Sequence, residues 1–158
     1  MLPGFLCLAA CQQGAPTPTL VLEPQLVTQH VQSDALFIGL SIVDTATVWL
    51  GGSGGTWART IDAGATWSTG VVSGADSLQF RDVHGVDGST AYLLSIGNGE
   101  QSRIYRTMDA GATWAAVFTN DEPRAFFDCF AFWDATHGIA FSDSFDGAFR
   151  IITTTDGE

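Results

Sequence analysis

Four polar side chains stand in stretches that are otherwise largely apolar. Arg81, Asp82 and His84 lie in Phe80-Arg81-Asp82-Val83-His84, and Asp128 lies in Phe126-Phe127-Asp128-Cys129-Phe130. A guanidinium, two carboxylates and an imidazole brought together could bind a charged ligand, move a proton or neutralise one another. Charge in such a run is costly unless it is paired or open to water. In one reading Arg81 and Asp128 form an ion pair between neighbouring elements, with His84 hydrogen-bonded beside them. In the other they line a cleft and hold a ligand, as converging polar groups in a cleft do. A fifth candidate, Asp143, lies in Ser142-Asp143-Ser144-Phe145-Asp146-Gly147. Asp143 and Asp146 could hold a cation, but the run lacks the alternating oxygen ligands of a calcium loop, and a solvated hairpin is the simpler expectation. The three cysteines, at 7, 11 and 129, show no metal-site spacing and no disulfide framework. No metal and no cofactor is expected.

The elements that must position these groups come from an internal repeat. Thr60-Ile61-Asp62-Ala63-Gly64-Ala65-Thr66-Trp67 returns as Thr107-Met108-Asp109-Ala110-Gly111-Ala112-Thr113-Trp114, and Thr154-Thr155-Asp156-Gly157-Glu158 begins it again. Asp62, Asp109 and Asp156 are separated by 47 residues each, a period typical of repeat architectures. Each copy lies between strand-like runs, so it reads as a hairpin turn. The Asp accepts backbone N–H groups, the Gly supplies a positive φ, and the Trp covers the turn. Repetition argues for a structural role, because a turn stabilises every unit alike whereas chemistry usually sits once.

Ser/Thr-x-Asp-x-Gly-x-Thr-Trp resembles the Asp-box of the bacterial neuraminidase repeat. The first two copies match at every defined position, and the third departs where Glu158 replaces the Gly. The strings Phe80–His84, Leu94-Ser95-Ile96-Gly97-Asn98-Gly99 and Ala131-Phe132-Trp133-Asp134 look most like bacterial sialidase-like propellers. The resemblance covers roughly residues 35–158 and extends to photosystem II assembly-factor-like proteins. It implies an all-β fold, a β-propeller of four-stranded antiparallel blades, with the Asp-box joining a blade's third and fourth strands away from the ligand face. Structural Asp-box residues are then Thr60, Asp62, Gly64, Thr66, Trp67, Thr107, Asp109, Gly111, Thr113, Trp114 and Asp156.

About three blades are expected, over 35–72, 78–119 and 126–158, the third lacking its last strand. Blades need radial closure, so the chain reads as a fragment of a propeller that is expected to be seven-bladed. Inner strands are placed at 36–43, 78–86 and 126–133, and should be continuous apolar runs flanked on both faces. The other strands of blade one are placed at 48–52, 56–61 and 66–72. Those of blade two are placed at 90–96, 103–108 and 113–119, and those of blade three at 137–142 and 148–154. Aligning the inner strands on Asp44, Asp87 and Asp134 makes Ile38, Arg81 and Asp128 equivalent, then Gly39, Asp82 and Cys129, then Ser41, His84 and Ala131. Gly51-Gly52-Ser53-Gly54-Gly55 is a hairpin loop; no Lys or helix start follows to make it a phosphate cradle. His137 reads as a turn residue. Trp49, Trp57, Trp133 and the Phe126–Phe132 aromatics read as blade packing, with a sugar platform conceivable at Trp57.

Residues 1–11 resemble a lipoprotein signal ending in Leu8-Ala9-Ala10-Cys11, with Cys11 as the lipidated residue, although a basic leader is lacking. Residues 12–19 form a polar tether. Residues 20–34 are expected to make an N-terminal strand that closes a last blade. Export to a bacterial cell envelope, with the membrane reached only through a lipid anchor, is the matching expectation.

Net charge is −11, with six Arg and no Lys. An acidic chain without a basic stripe excludes nucleic acid and anionic membrane surfaces as natural partners. Two function classes remain. The first is a non-catalytic propeller that binds a protein partner as an envelope-anchored assembly or binding scaffold. The second is a sialidase-like glycoside hydrolase taking a carbohydrate ligand. Sialidases carry an arginine triad, a Tyr/Glu pair, an acid Asp and an early Phe/Tyr-Arg-Ile-Pro motif. Of that motif Phe80-Arg81-Asp82-Val83 keeps only Phe-Arg, and Tyr92 and Tyr105 are the only tyrosines. A glycosidase would need catalytic residues from further blades.

Overall fold

The computed structural model describes residues 23–158. Among these residues eleven strands form three antiparallel meanders. Blade one holds β1 (Phe37–Ile42), β2 (Val48–Gly52), β3 (Thr56–Thr60) and β4 (Ser68–Val71), hydrogen-bonded in that order. Blade two repeats it with β5 (Gln79–Gly85), β6 (Ala91–Ile96), β7 (Arg103–Thr107) and β8 (Ala115–Thr119). Blade three has β9 (Phe127–Phe132), β10 (Gly138–Ser142) and β11 (Ile151–Thr154). The architecture is that of a partial propeller. No helix among the described residues is long and apolar enough to cross a membrane.

Short hairpins between consecutive strands produce this order. After each innermost strand an Asp ends the run and closes a tight turn. The Asp44 carboxylate accepts the Ala46 and Thr47 amides, both at 2.7 Å. Asp87 accepts Ser89 and Thr90 at 2.6 and 2.7 Å, and Asp134 accepts Thr136 and His137 at 2.8 Å. Three Asx turns of one design therefore set the register of three blades.

The core lies between the blades. Trp49 and Trp57 of blade one pack with Phe80, Val83, Leu93 and Tyr105 of blade two. Tyr92, Leu94 and Ile104 of blade two pack with Phe127 and Ala140 of blade three. Each large apolar side chain fully buried in this way stabilises the fold by roughly 1.5–3 kcal/mol. Gly51 permits the close approach, since a Cβ there would lie 2.8 Å from Val83 and 2.9 Å from Phe80.

Several expectations are corrected. The fully buried strand of blade two is the second, β6, not the innermost. β1 leaves Leu40 and Ile42 exposed, because β5 covers it on one side only and no sheet among the described residues covers the other. Gly51 and Gly52 belong to β2, so the glycine-rich loop is shorter than expected. Residues 23–34 pair with none of the three sheets, and Gln29 donates its side-chain amide to the Ala63 carbonyl at 2.8 Å. The lipidation residue Cys11 and the tether lie outside the described residues.

Candidate functional site

Each innermost strand begins with a β-bulge. Pairing skips a residue between Phe37 and Gly39 in β1 and between Phe80 and Asp82 in β5. In β9 it skips between Phe127 and Cys129. The skipped residues are Ile38, Arg81 and Asp128, the equivalent positions in the three blades. A bulge leaves one residue out of the ladder and re-aims its side chain, and bulges recur beside functional sites. Register also fixes where the row lies. Phe37 pairs with Gly52 at one end of blade one, whereas Ile42 pairs with Val48 and Val48 with Thr60 at the other. The bulges therefore occupy the end of the blades opposite the Thr-x-Asp-x-Gly-x-Thr-Trp turns.

The five candidate polar residues do not act alike. Arg81 is exposed and makes no ion pair or hydrogen bond among the described residues. The expected Arg81–Asp128 pair is thus not formed. A guanidinium open to water gains little from an ion pair, so none is required. Asp128 is half-buried on β9. Asp82 spans the blade boundary: one oxygen accepts the Val83 amide and the other the Phe130 amide of β9, both at 2.9 Å. It stitches two innermost strands together. Asp143 is exposed at the start of the β10–β11 loop, anchored by its own amide to the Phe126 carbonyl at 2.8 Å.

His84 also departs from expectation. It makes no hydrogen bond among the described residues and stacks on Phe132, with ring centroids 4.9 Å apart at 19°. Burial pushes its pKa down, with the Asp82 carboxylate opposing. Cys129 sits half-buried amid the cluster. Burial pushes its thiol up, carboxylates at Asp128, Asp82 and Asp143 push further, and Arg81 opposes. Such a thiol stays protonated and is a poor nucleophile. No group of three His, Cys, Asp or Glu among the described residues is placed to hold a metal ion.

Polar ties not foreseen from the sequence shape the loops at this end. Buried Asn120 donates to the carbonyls of Gly99, Glu122 and Ala125 at 2.9 to 3.1 Å and accepts from Arg150 at 2.9 Å. Arg150 pairs with Asp121 at 2.7 Å, joining the loops of blades two and three. Arg124 bonds Glu122 at 3.1 Å, pairs with Asp146 and lies over the Phe145 ring. Ser142–Gly147 is thus a hairpin loop tethered by an arginine. The signal was available: Arg124 and Arg150 are two of only six arginines in a chain without lysine.

At the opposite end the repeated turns are built identically. Thr60 donates its hydroxyl to Asp62 at 2.7 Å and accepts the Gly64 amide at 2.9 Å. Asp62 accepts the Thr66 amide at 2.8 Å and the Thr66 hydroxyl at 2.6 Å. Thr107, Asp109, Gly111 and Thr113 repeat each bond within 0.2 Å. Thr154 and Asp156 form the start of the same network. These hydrogen bonds, Thr66's foremost, hold the Asp62 carboxyl down at about 2. The positive φ falls on Ala63 and Ala110 as well as on Gly64 and Gly111. Trp114 packs on blade one and Trp67 is half-buried.

The aromatic candidates divide. Trp57 is buried between Trp49 and Trp114, so it presents no sugar platform. Trp133 is exposed, not blade packing. Tyr92 is fully buried with its hydroxyl donating to the Ala135 carbonyl at 3.0 Å, and burial pushes its phenol up. Tyr105 is buried edge-on to Phe80. His137 closes its turn against Asp134, the ring nitrogen 2.9 Å from the carboxylate.

No family model matches the chain, and no curated protein does either. Solved propellers do. YCF48 bound to a D1 peptide matches with a TM-score of 0.60 and 22% identity, over 80% of this chain and 39% of that one. YCF48 from Cyanidioschyzon merolae matches with a TM-score of 0.57 and 17% identity, over 81% and 40% of the two chains. This chain thus spans about two-fifths of the length of each. At these identities the likeness establishes the fold alone, that of part of a β-propeller.

Proposed function

We propose that the three blades form part of a β-propeller that acts as a non-catalytic binding or assembly scaffold, holding a protein partner across the bulge end. The observation that carries this is the row of Ile38, Arg81 and Asp128, one bulge residue per blade. An apolar, a cationic and an anionic side chain repeat at blade spacing along one face, which suits an extended polypeptide better than a compact substrate. Asp82 and His84 support the face from behind: the carboxylate ties β5 to β9, and the imidazole packs against Phe132. The similarity to a solved propeller that holds a peptide favours the same class of partner. Three blades spanning two-fifths of that neighbour correspond to a ring of roughly seven, within the usual range.

The turn network of Thr60, Asp62 and Thr66, repeated in blade two, supports the relationship to Asp-box propellers of the bacterial neuraminidase repeat. Lipidation at Cys11 would then hold the scaffold at a bacterial cell envelope after export. A carbohydrate ligand belongs to the competing sialidase-like reading.

Calorimetric titration with the D1 peptide tests the proposal. Saturable binding is expected, weakened at least about tenfold (some 1.4 kcal/mol) by Arg81→Ala or Asp128→Ala with the fold unchanged. Equal binding by both variants would contradict the bulge row. Turnover of a fluorogenic sialoside, lost in Arg81→Ala, would replace the scaffold reading with the glycosidase.

A further inference from the structure

The bulge row carries three different side chains, and their order bears on which segment it can hold; this inference rests on the scaffold reading. Blade two packs against a blade on either side, and Arg81 is exposed there. The bulge position therefore opens to water by its own geometry. Ile38, 43% exposed, and the half-buried Asp128 hold it in the neighbouring blades. The other arginines at this end are engaged: Arg103 with Glu100, Arg124 with Glu122 and Asp146, Arg150 with Asp121. Arg81 is the arginine there that lacks a carboxylate among the described residues. Asp128 lacks a cation in the same sense. Asp143, at the start of the adjoining loop, presents a second unpaired carboxylate, and both act on the Cys129 thiol.

The ties between blades set the spacing. Single short side chains bridge the innermost strands: the Ser41 hydroxyl accepts the Gly85 amide, and an Asp82 oxygen the Phe130 amide, each at 2.9 Å. The innermost strands thus run one short side chain apart. Alternate residues of an extended strand, about 6.6 Å apart, can match that step. They also point to one side of the strand. A segment of a single charge sign would satisfy one of Arg81 and Asp128 and be repelled by the other. Opposite signs in a fixed order satisfy both. An open guanidinium takes a carboxylate in a forked pair, the strongest contact this row offers.

We propose that the bulge row reads an extended segment whose alternate residues are apolar, acidic and basic, in that order from blade one to blade three. The apolar residue lies on Ile38 and the acidic one pairs with Arg81. The basic one reaches Asp128, with the Asp143 carboxylate beside it.

The test is a shift titration of the labelled chain with five-residue peptides blocked at both ends. Leu-Ser-Glu-Ser-Lys and its reverse, Lys-Ser-Glu-Ser-Leu, cover the two strand directions. Each is compared with its charge-exchanged isomer, Leu-Ser-Lys-Ser-Glu or Glu-Ser-Lys-Ser-Leu. One of the first two should bind at least tenfold more tightly than its isomer, with shifts at Ile38, Arg81 and Asp128. Arg81→Asp combined with Asp128→Arg should reverse that preference, the rest of the spectrum staying that of the folded chain. In the milder Asp128→Asn, exchanging the peptide's Lys for Ser should no longer weaken binding. Equal binding of the isomers overturns the proposal. Tighter binding of Leu-Ser-Lys-Ser-Lys also overturns it, since general attraction to an acidic chain would then suffice. Shifts along the row with the D1 peptide but no preference among the isomers would strike this inference and leave the scaffold reading standing. No shift along the row with any of these peptides removes both.

Discussion

Trp114, at the end of the second repeated turn, stands edge-on to Trp49 of the neighbouring blade, ring centroids 6.0 Å apart at 86°. The turn and the blade boundary are thereby one structure. The hydrogen bonds of Thr107 and Asp109 fix where Trp114 leaves the turn, and the indole fixes how blade two meets blade one. Trp114→Ala should destabilise the chain by about 3 kcal/mol. Urea denaturation checks the magnitude, and a red-shifted emission from Trp49 and Trp57 reports the opened boundary.

Gly111 is bound to the same contact. Its φ is 89°, and a Cβ there would run into the Trp57 ring. Gly111→Ala should therefore cost roughly 2 kcal/mol or more from backbone strain and overpacking together. Gly74, at φ 73° with open space around it, would bear only the conformational part of that cost. Thermal unfolding of the two variants should place Gly111→Ala well below Gly74→Ala.

Acid should loosen the turns. Asp62 titrates in the folded chain at about 2 against an ordinary 3.8, chiefly through the Thr66 hydroxyl and amide. A lowered folded pKa contributes stability that is fully present above the ordinary value and is lost as pH falls toward the folded one. Stability should therefore fall between about pH 4 and pH 2. Asp62→Asn should be less stable near neutrality and show a shallower fall, measured by denaturant midpoints across that range.

His84 gives a second window of the same sign. Its folded pKa is pushed below the ordinary 6.5 by burial against Phe132 and Tyr92. Protonation favours the unfolded chain, so this contribution is complete above 6.5 and declines as pH falls below it, levelling off beneath the folded pKa. His84→Phe keeps the stack and should remove that decline. Denaturant midpoints from pH 7.5 to 5 would show it, and a His84 ring resonance titrating at or above its ordinary value would contradict it.

Much of the blade plan was legible because it is written in local chemistry. Asp44, Asp87 and Asp134 each close a turn with their own next residues, so aligning on them also aligned Ile38, Arg81 and Asp128, which the structure shows as the three bulge residues. Contacts across blades were not legible, because equivalence along a repeat does not give distance between repeats. Arg81 and Asp128 are equivalent yet unpaired, whereas Asp82 reaches the Phe130 amide. The Trp49 indole donates to the Asp87 carbonyl at 2.8 Å and the Tyr92 hydroxyl to Ala135, one device repeated at both boundaries. A Trp in one copy and a Tyr in the other hid it. Exposure of β1 and Trp133 depends on what packs beside the outer blades, which the local pattern does not carry.

The most direct test of the scaffold account is a residue-by-residue shift map of the labelled chain during titration with the D1 peptide. The account predicts the largest shifts at Ile38, Arg81 and Asp128 and along the loop that begins at Asp143, with the amides of Asp62 and Asp109 at the far end unmoved. Shifts centred on the Asp62 and Asp109 turns, or none at saturating peptide, would contradict it.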